Sequence, residues 1–460
     1  MTSRVRSIFL AALLLVPALV GSVAAAEPEP VRPNILFILT DDQRWDALGV
    51  MGNSIIRTPN LDRLAGQGVL FQNARVTTSI CCVSRASILS GQYESRHGIH
   101  DFSATFTPEA WDRTYPALLA RAGYKVGFVG KLGVGNKPPQ RFDFMKVGSD
   151  SAYTFPDGPG KTIHQTDLVT RQADEFLDRF AGKPEPFCLA IGFKAPHELD
   201  GDPPLYPVQD RFASLYDSVT IPSPPATGPG SWESWPDFFR TERNLGRKRW
   251  RGLFGTPELF QSNVKNYYRL ISGVDDAVGH LLGRLQKLGV AERTVIVFAS
   301  DNGFTLGEHG LEGKWFGHEE SIRVPLFIVD PRSAPGQRGR TSDLMALNID
   351  LAPTILHLAG VEAPSSMQGC DLFAMLAGRV EPRREFFYEH TYLGSPGLPK
   401  VEGVVTPDLK YMKFIEHGYE QLHDLRHDPH ETVNLATDPA HADELRAMRE
   451  RYEVLKAGVK

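Results

Sequence analysis

Four short apolar runs, each broken off by a cluster of polar residues, limit what this chain can fold into. Residues 35–39 run into Thr40-Asp41-Asp42, and 124–129 into Gly130-Lys131. Residues 187–193 run into Lys194-Ala195-Pro196-His197, and 295–299 into Ser300-Asp301-Asn302. Runs this short and this rich in Ile, Val and Phe predict strands buried on both faces, as in a parallel sheet. Helical patterns fill the gaps, at 58–67, 85–91, 167–180 and 267–288. Strands alternating with helices predict an α/β fold with helices on both faces of the sheet. Such sheets bind ligands beyond the carboxyl ends of their strands, which is where the polar clusters fall.

The rest of the chain is organised around that body. Residues 200–229 are rich in proline and read as a surface excursion on the rim of the same face. Near Glu381 the character changes to short strands at 386–392, 411–415 and 420–425, then an amphipathic helix at 441–455. This predicts a main domain over 27–380 and a small C-terminal α+β subdomain over 381–460. At the other end, Arg4 and Arg6 precede an apolar stretch at 9–20, and Ala24-Ala25-Ala26 offers a cleavage site. Residues 1–26 therefore read as an export signal, too short for a membrane span, and predict a periplasmic or secreted protein free of the membrane after cleavage. Losing the two arginines takes the formal charge from −5 to −7. That balance argues against a nucleic-acid partner, so an anionic substrate has to be drawn by a local positive site. The four cysteines, Cys81, Cys82, Cys188 and Cys370, form neither a disulfide framework nor a zinc-site spacing.

The polar clusters carry recognisable chemistry. Asp41-Asp42 and Asp301-Asn302 put four oxygen side chains at two strand ends. Either pair alone reads as the cap of a following helix or turn. Both pairs on one sheet face read as the ligands of a hard cation, Ca²⁺ or Mg²⁺. The segment 79–91 places Cys81 just before a helix running from near Val83 to Gly91. A helix N-terminus favours an anion and a lowered thiol pKa, and Arg85, one turn in, can direct its planar fork at an oxyanion. The basic run Arg243, Arg247, Lys248, Arg249 and Arg251, interleaved with Trp250, reads as a solvated loop or as a subsite for a polyanionic sugar chain. Lys194 reads as a solvated strand end.

The segment around Cys81 resembles the signature of the type I sulfatases, Cys-x-Pro-Ser-Arg followed by Leu-Thr-Gly. Cys81, Ser84, Arg85, Leu89 and Gly91 match it. The resemblance continues, in order, through Asp41-Asp42, Gly130-Lys131, 193–197, 301–303, 307–310, Lys314, 320–325 and 425–435. It implies the large mixed, mostly parallel sheet of the alkaline-phosphatase-like superfamily. It implies a sulfate-ester hydrolase acting on a carbohydrate of glycosaminoglycan or mucin type. Cys81 would be oxidised to formylglycine by a formylglycine-generating enzyme, and its hydrate would be the nucleophile. Asp41, Asp42, Asp301 and Asn302, with the modified Cys81, would hold the cation. Arg85 would steady the formylglycine, Lys131 and Lys314 would grip the sulfate oxygens, and His197 would protonate the leaving alcohol.

Two positions depart from the pattern. Val83 stands where the family has proline, and Gly133 where it has a histidine that contacts the formylglycine hydroxyl. His309 and His97 are candidates to replace that histidine, each with a plain structural alternative. Two other readings stay open: a phosphate or phosphonate ester hydrolase of the same superfamily, and a non-catalytic glycan-binding relative.

Overall fold

The computed structural model describes residues 1–2, 32–135, 142–148, 152–228 and 230–460. The chain divides into Met1–Arg32 and Pro33–Lys460. Apart from its first two residues, the expected export signal lies outside the described residues. Everything below concerns the second unit. Among the described residues, no helix is long and apolar enough to cross a membrane.

An eight-stranded sheet forms the body. In chain order its strands are β1 (Asn34–Asp41), β2 (Val69–Arg75), β3 (Lys125–Gly130), β4 (Phe144–Val147), β5 (Phe187–Pro196), β6 (Thr294–Ser300), β7 (Leu326–Val329) and β8 (Arg340–Leu347). They lie side by side as β8-β2-β7-β6-β1-β5-β3-β4. The four strands expected from the apolar runs are the contiguous parallel centre, β6-β1-β5-β3. Strand β7 runs antiparallel to both its neighbours, so the sheet is mixed and mostly parallel. Successive residues of the central strands bury into opposite faces. Ile35, Phe37 and Leu39 join one apolar cluster, Leu36 and Ile38 the other. Burial on both sides explains why these strands read as unbroken apolar runs.

Register brings the polar ends together. Thr40 pairs with Ser300, Asp41 with Pro196, and Gly130 with Gly192. Asp41-Asp42, Asp301-Asn302, His197 and Lys131 therefore leave the sheet at one edge. The helix Cys81–Ser90 packs against the sheet there, buried along its whole length, and ends at Gly91 in the left-handed region (φ 67°). It starts two residues earlier than expected, so Cys81 is its first residue. The helix expected at 267–288 spans Pro257–Lys287, and the one at 167–180 spans Gln165–Phe180. The proline-rich stretch is not wholly a surface feature, because Tyr206, Tyr216 and Ile221 are buried.

The C-terminal region is a four-stranded antiparallel sheet, Phe386–His390, Val401–Val405, Leu409–Phe414 and Tyr419–Asp424, followed by the helix Ala442–Gly458. It joins the body through buried charge as well as apolar packing. Lys410 is fully buried, with Nζ 2.8 Å from Glu431 Oε1 and 3.0 Å from Glu319 Oε1. Glu319 in turn takes Arg75 at 2.9 Å. Removing the ammonium leaves the buried Glu431 carboxylate without its cation and Glu319 with Arg75 alone. Lys410→Met is therefore expected to lower the unfolding free energy by about 3 kcal/mol or more. Denaturant titration checks this, and a loss under about 1 kcal/mol would show that the carboxylates pair elsewhere.

Candidate active site

The turn after β1 builds the site. Asp42 adopts φ 64°, a left-handed conformation uncommon outside glycine, asparagine and aspartate. Its amide donates to Asp301 Oδ1 (3.2 Å) and its carbonyl accepts from the Tyr267 hydroxyl (2.7 Å). These bonds hold the turn so that both carboxylates face the strand ends. One oxygen each from Asp41, Asp42 and Asp301 lies within 4.8 Å of the others, and all three residues are buried. Asn302 Nδ2 donates to Asp42 Oδ1 at 2.5 Å. Asp41 Oδ1 and the Asn302 side-chain oxygen are buried without a hydrogen-bond donor. Oxygen donors left without protons to accept are what a hard divalent cation requires, so these residues fit such an ion. The structure brings all four expected ligands together.

Three cations face them. Lys131 pairs closely with Asp41, and Lys314 Nζ lies 2.5 and 2.6 Å from the two oxygens of Asp42. Arg85 donates from Nε to Asp301 Oδ2 (2.6 Å) and from Nη1 to the Lys131 carbonyl (2.5 Å). Its Nη2, without a hydrogen-bond partner, sits 3.6 Å from Asp41 Oδ2. The two aspartates respond oppositely. Burial works to raise the Asp41 carboxyl, but Lys131, His197 and Arg85 outweigh it and hold it well below the usual range. Asp42 is pushed up to about 8, chiefly by burial, against the pull of Lys314 and with the added repulsion of Asp41.

Cys81 lies in the same cluster, its sulfur within 4.8 Å of an Asp41 oxygen and a His197 nitrogen. The helix start does not lower its pKa as expected. Burial, the largest influence, raises the thiol to about 11 despite Lys131 and Lys314. An unmodified Cys81 is therefore a neutral thiol near pH 7 and a poor nucleophile. His197 is the remaining member. Its Nδ1 meets the Glu198 carbonyl at 2.6 Å and its Nε2 lies 3.5 Å from Asp42 Oδ2. The Tyr153 hydroxyl donates to the His197 carbonyl at 2.5 Å. Burial, aided by Lys314 and Lys131, holds the free imidazole well below its usual pKa.

Other expectations need correction. Lys194 is buried rather than solvated, its ammonium 5.5 Å over the Tyr153 ring. The basic run is no loop: most of it forms the helix Leu245–Leu253. Nor is it an open cationic patch. Arg251 pairs with Glu242, Lys248 with Asp202 and Arg249 with Glu198 and Asp200, while Arg247 stacks 3.8 Å over Trp250. The two candidate replacement histidines are otherwise engaged. His97 bonds Ser87 Oγ (3.0 Å) and accepts from the Ile99 amide, and His309 stacks on His318 at 3.9 Å. Sequence reading missed Glu198 and Glu312, both fully buried. Their signal was carboxylates lying beside motif residues, Glu198 next to His197 and Glu312 two before Lys314.

A mostly parallel sheet thus gathers three buried carboxylates, a cysteine at a helix start and two lysines at its strand ends. Comparison gives the family. The sulfatase family model matches residues 33–361, and the C-terminal model of N-sulphoglucosamine sulphohydrolase matches 307–458. The chain belongs to the sulfatase family and is a sulfuric ester hydrolase. As a class these enzymes depend on formylglycine and a divalent metal. The chain is 29% identical to N-acetylglucosamine-6-O-sulfatase of Bacteroides thetaiotaomicron, over 92% of this chain and 86% of that one. It is 30% identical to mouse iduronate 2-sulfatase, over 72% and 69%. A structure solved in complex with its substrate D-glucosamine-2-N,6-O-disulfate superposes with TM-score 0.82 at 28% identity, covering 93% and 98%. Phosphonate monoester hydrolase of Agrobacterium radiobacter shares the fold, with TM-score 0.78 at 21% identity over 93% and 96%.

The glycine at 133 has a local cause. With φ 72°, it lies against Arg85, and an added Cβ would stand 2.6 Å from Arg85 Cδ. The Arg85 side chain fills the space a larger residue would need. Gly133→Ala is expected to displace Arg85 from Asp301 and lower kcat/KM for a sulfate ester by about tenfold or more, as for loss of a fixed charge at a reacting group. Unchanged activity in a folded variant would show that Arg85 does not need this position.

Proposed function

We propose that this protein hydrolyses a sulfate ester on a carbohydrate of glycosaminoglycan or mucin type, with formylglycine made from Cys81 as nucleophile. The observation that carries the reading is the convergence of Cys81, three buried carboxylates, Lys131, Lys314 and His197 at one strand edge. The amino-sugar sulfates named for two of its relatives support the substrate class. Asp41, Asp42, Asp301 and Asn302 would hold Ca²⁺ or Mg²⁺, since they offer only oxygen, with the modified Cys81 as a further ligand. Once formed and bound, formylglycine and metal supply a hydroxyl nucleophile and polarisation of the sulfuryl oxygens.

The chain's own residues do the rest. Lys131 and Lys314 are fixed in a water-poor setting and direct charge at the sulfuryl oxygens, where fixed cations act most strongly. Arg85, anchored on Asp301 and the Lys131 carbonyl, positions the helix start that carries Cys81. His197 gives its Nε2 proton to the departing oxygen as the sulfur–oxygen bond breaks, because a sugar alkoxide is a poor leaving group. Lysines and burial keep the free imidazole neutral. A bound sulfate ester adds the negative charge beside Lys131 and Lys314 that offsets them and lets the ring hold its proton. Residues 1–26 would direct export to the periplasm or beyond. A formylglycine-generating enzyme would act before folding buries Cys81. The domain limits would be 27–380 and 381–460.

Two measurements on protein from its native host test this together. Mass spectrometry of the tryptic peptide 76–85 should place an aldehyde on Cys81 and leave Cys82 a thiol. The same preparation should release sulfate from glucosamine 6-sulfate or N-acetylglucosamine 6-sulfate. Two intact thiols in an active preparation would contradict the nucleophile, and an aldehyde with no release from any sugar sulfate would contradict the substrate class.

A further inference from the structure

The basic helix Leu245–Leu253 reaches the active site through a partly buried chain of contacts. Arg249 Nη1 donates to Glu198 Oε1 at 2.6 Å and lies 3.9 Å from Glu312 Oε1. Its Nη2 pairs with Asp200. One guanidinium thus serves two fully buried carboxylates and an exposed one. The charge of an arginine so engaged is already matched, and the carboxylates around it would repel a polyanion. The free end of Glu198 points elsewhere: Oε2 has no hydrogen-bond partner and lies 3.7 Å from His197 Nδ1. That nitrogen already meets the Glu198 carbonyl at 2.6 Å. A carbonyl only accepts, so Nδ1 carries the hydrogen, and Nε2 is the nitrogen that faces Asp42 and the reacting ester.

We infer that Glu198, clamped by Arg249, is a positioning residue for His197: its carbonyl and its free carboxylate oxygen hold Nδ1–H on one side of the ring and so aim Nε2 at the departing oxygen. The inference rests on the acid role of His197 given above. The geometry favours positioning over simple support of the fold. One oxygen of Glu198 is bonded by Arg249 and the other is left beside the imidazole. The Tyr153 hydroxyl on the His197 carbonyl holds the backbone, so the side-chain contact is free to set the ring. The arrangement also accounts for the partial burial of Arg249 within a largely exposed basic run.

Leaving-group dependence separates the possibilities. Glu198→Gln keeps the backbone carbonyl and the side-chain shape but removes the anionic acceptor. It is expected to slow hydrolysis of sugar or simple alkyl sulfates by about tenfold or more while changing an activated aryl sulfate by less than about threefold, because only a poor leaving group needs the proton. The double variant His197→Ala/Glu198→Gln should be no slower than His197→Ala alone, since a positioning residue acts only through what it positions. Arg249→Lys keeps the charge with a shorter reach, and should show the same selectivity in weaker form. It serves as the test if Glu198→Gln does not fold. Equal loss on both substrate types, no loss on either, or additive losses in the double variant would overturn the inference. If His197→Ala alone spares the alkyl sulfates, the acid role fails, and the positioning role fails with it.

Discussion

Everything in this structure is arranged around a buried cluster of opposite charges at the ends of four parallel strands. Asp41, Asp42 and Asp301 stand against Arg85, Lys131 and Lys314, all of them buried. Taking six charges out of water costs several kcal/mol each unless geometry and partners are nearly ideal. The fold meets that cost by register. Pairing of Thr40 with Ser300 and of Gly130 with Gly192 fixes the carboxylates and Lys131 within bonding distance before any side chain chooses a rotamer. The helix starting at Cys81 completes the arrangement by bringing Arg85 one turn in, onto Asp301. The cluster is strong where cation meets carboxylate and incomplete where Asp41 and Asn302 keep oxygens without donors. That incompleteness leaves oxygens of the kind a hard cation takes.

A second layer of charge, mostly buried, surrounds the first. Arg249, Glu198 and Glu312 lie on the side of His197, and burial with the nearby Glu198 carboxylate pushes the Glu312 carboxyl well above its usual range. Farther out, Arg75, Glu319, Lys410 and Glu431 tie the C-terminal sheet to the body. Buried ionic groups of this kind contribute little to stability compared with apolar packing, and they restrict the arrangements the chain can adopt. In an enzyme whose reacting ester is an anion, that restriction keeps cations from collapsing onto the wrong carboxylates.

The centre of the fold and the meeting of its polar strand ends were legible because burial on both faces leaves an unbroken apolar run, and each such run here ends in polar residues. The flanking strands were not. Arg340–Leu347 carries Arg340, Thr341, Ser342 and Asp343 in its first half, where it lies at the sheet edge, so no apolar signal marks it. Val401–Val405 has Glu402 and Gly403 at its middle and owes its place to pairing with both neighbours. The start of the Cys81 helix was set two residues late because its first turn has no side-chain cap. Long-range electrostatics was the other hidden quantity. The raised thiol of Cys81, the burial of Lys194 and the engagement of Arg249 each depend on partners far apart in sequence, which no local pattern displays.

The central claim is that the strand-end cluster is built around one divalent cation, and calorimetric titration of chelator-stripped protein tests it most directly. Ca²⁺ or Mg²⁺ should bind with one site per chain and raise the thermal midpoint, by an amount equivalent to about 2.7 kcal/mol at a hundredfold excess over Kd. Asp301→Asn, which removes a charge, should weaken the binding more than Asn302→Ala, which removes only a neutral oxygen. Titration without heat or stabilisation from either ion, or tight binding of zinc alone, would contradict the account.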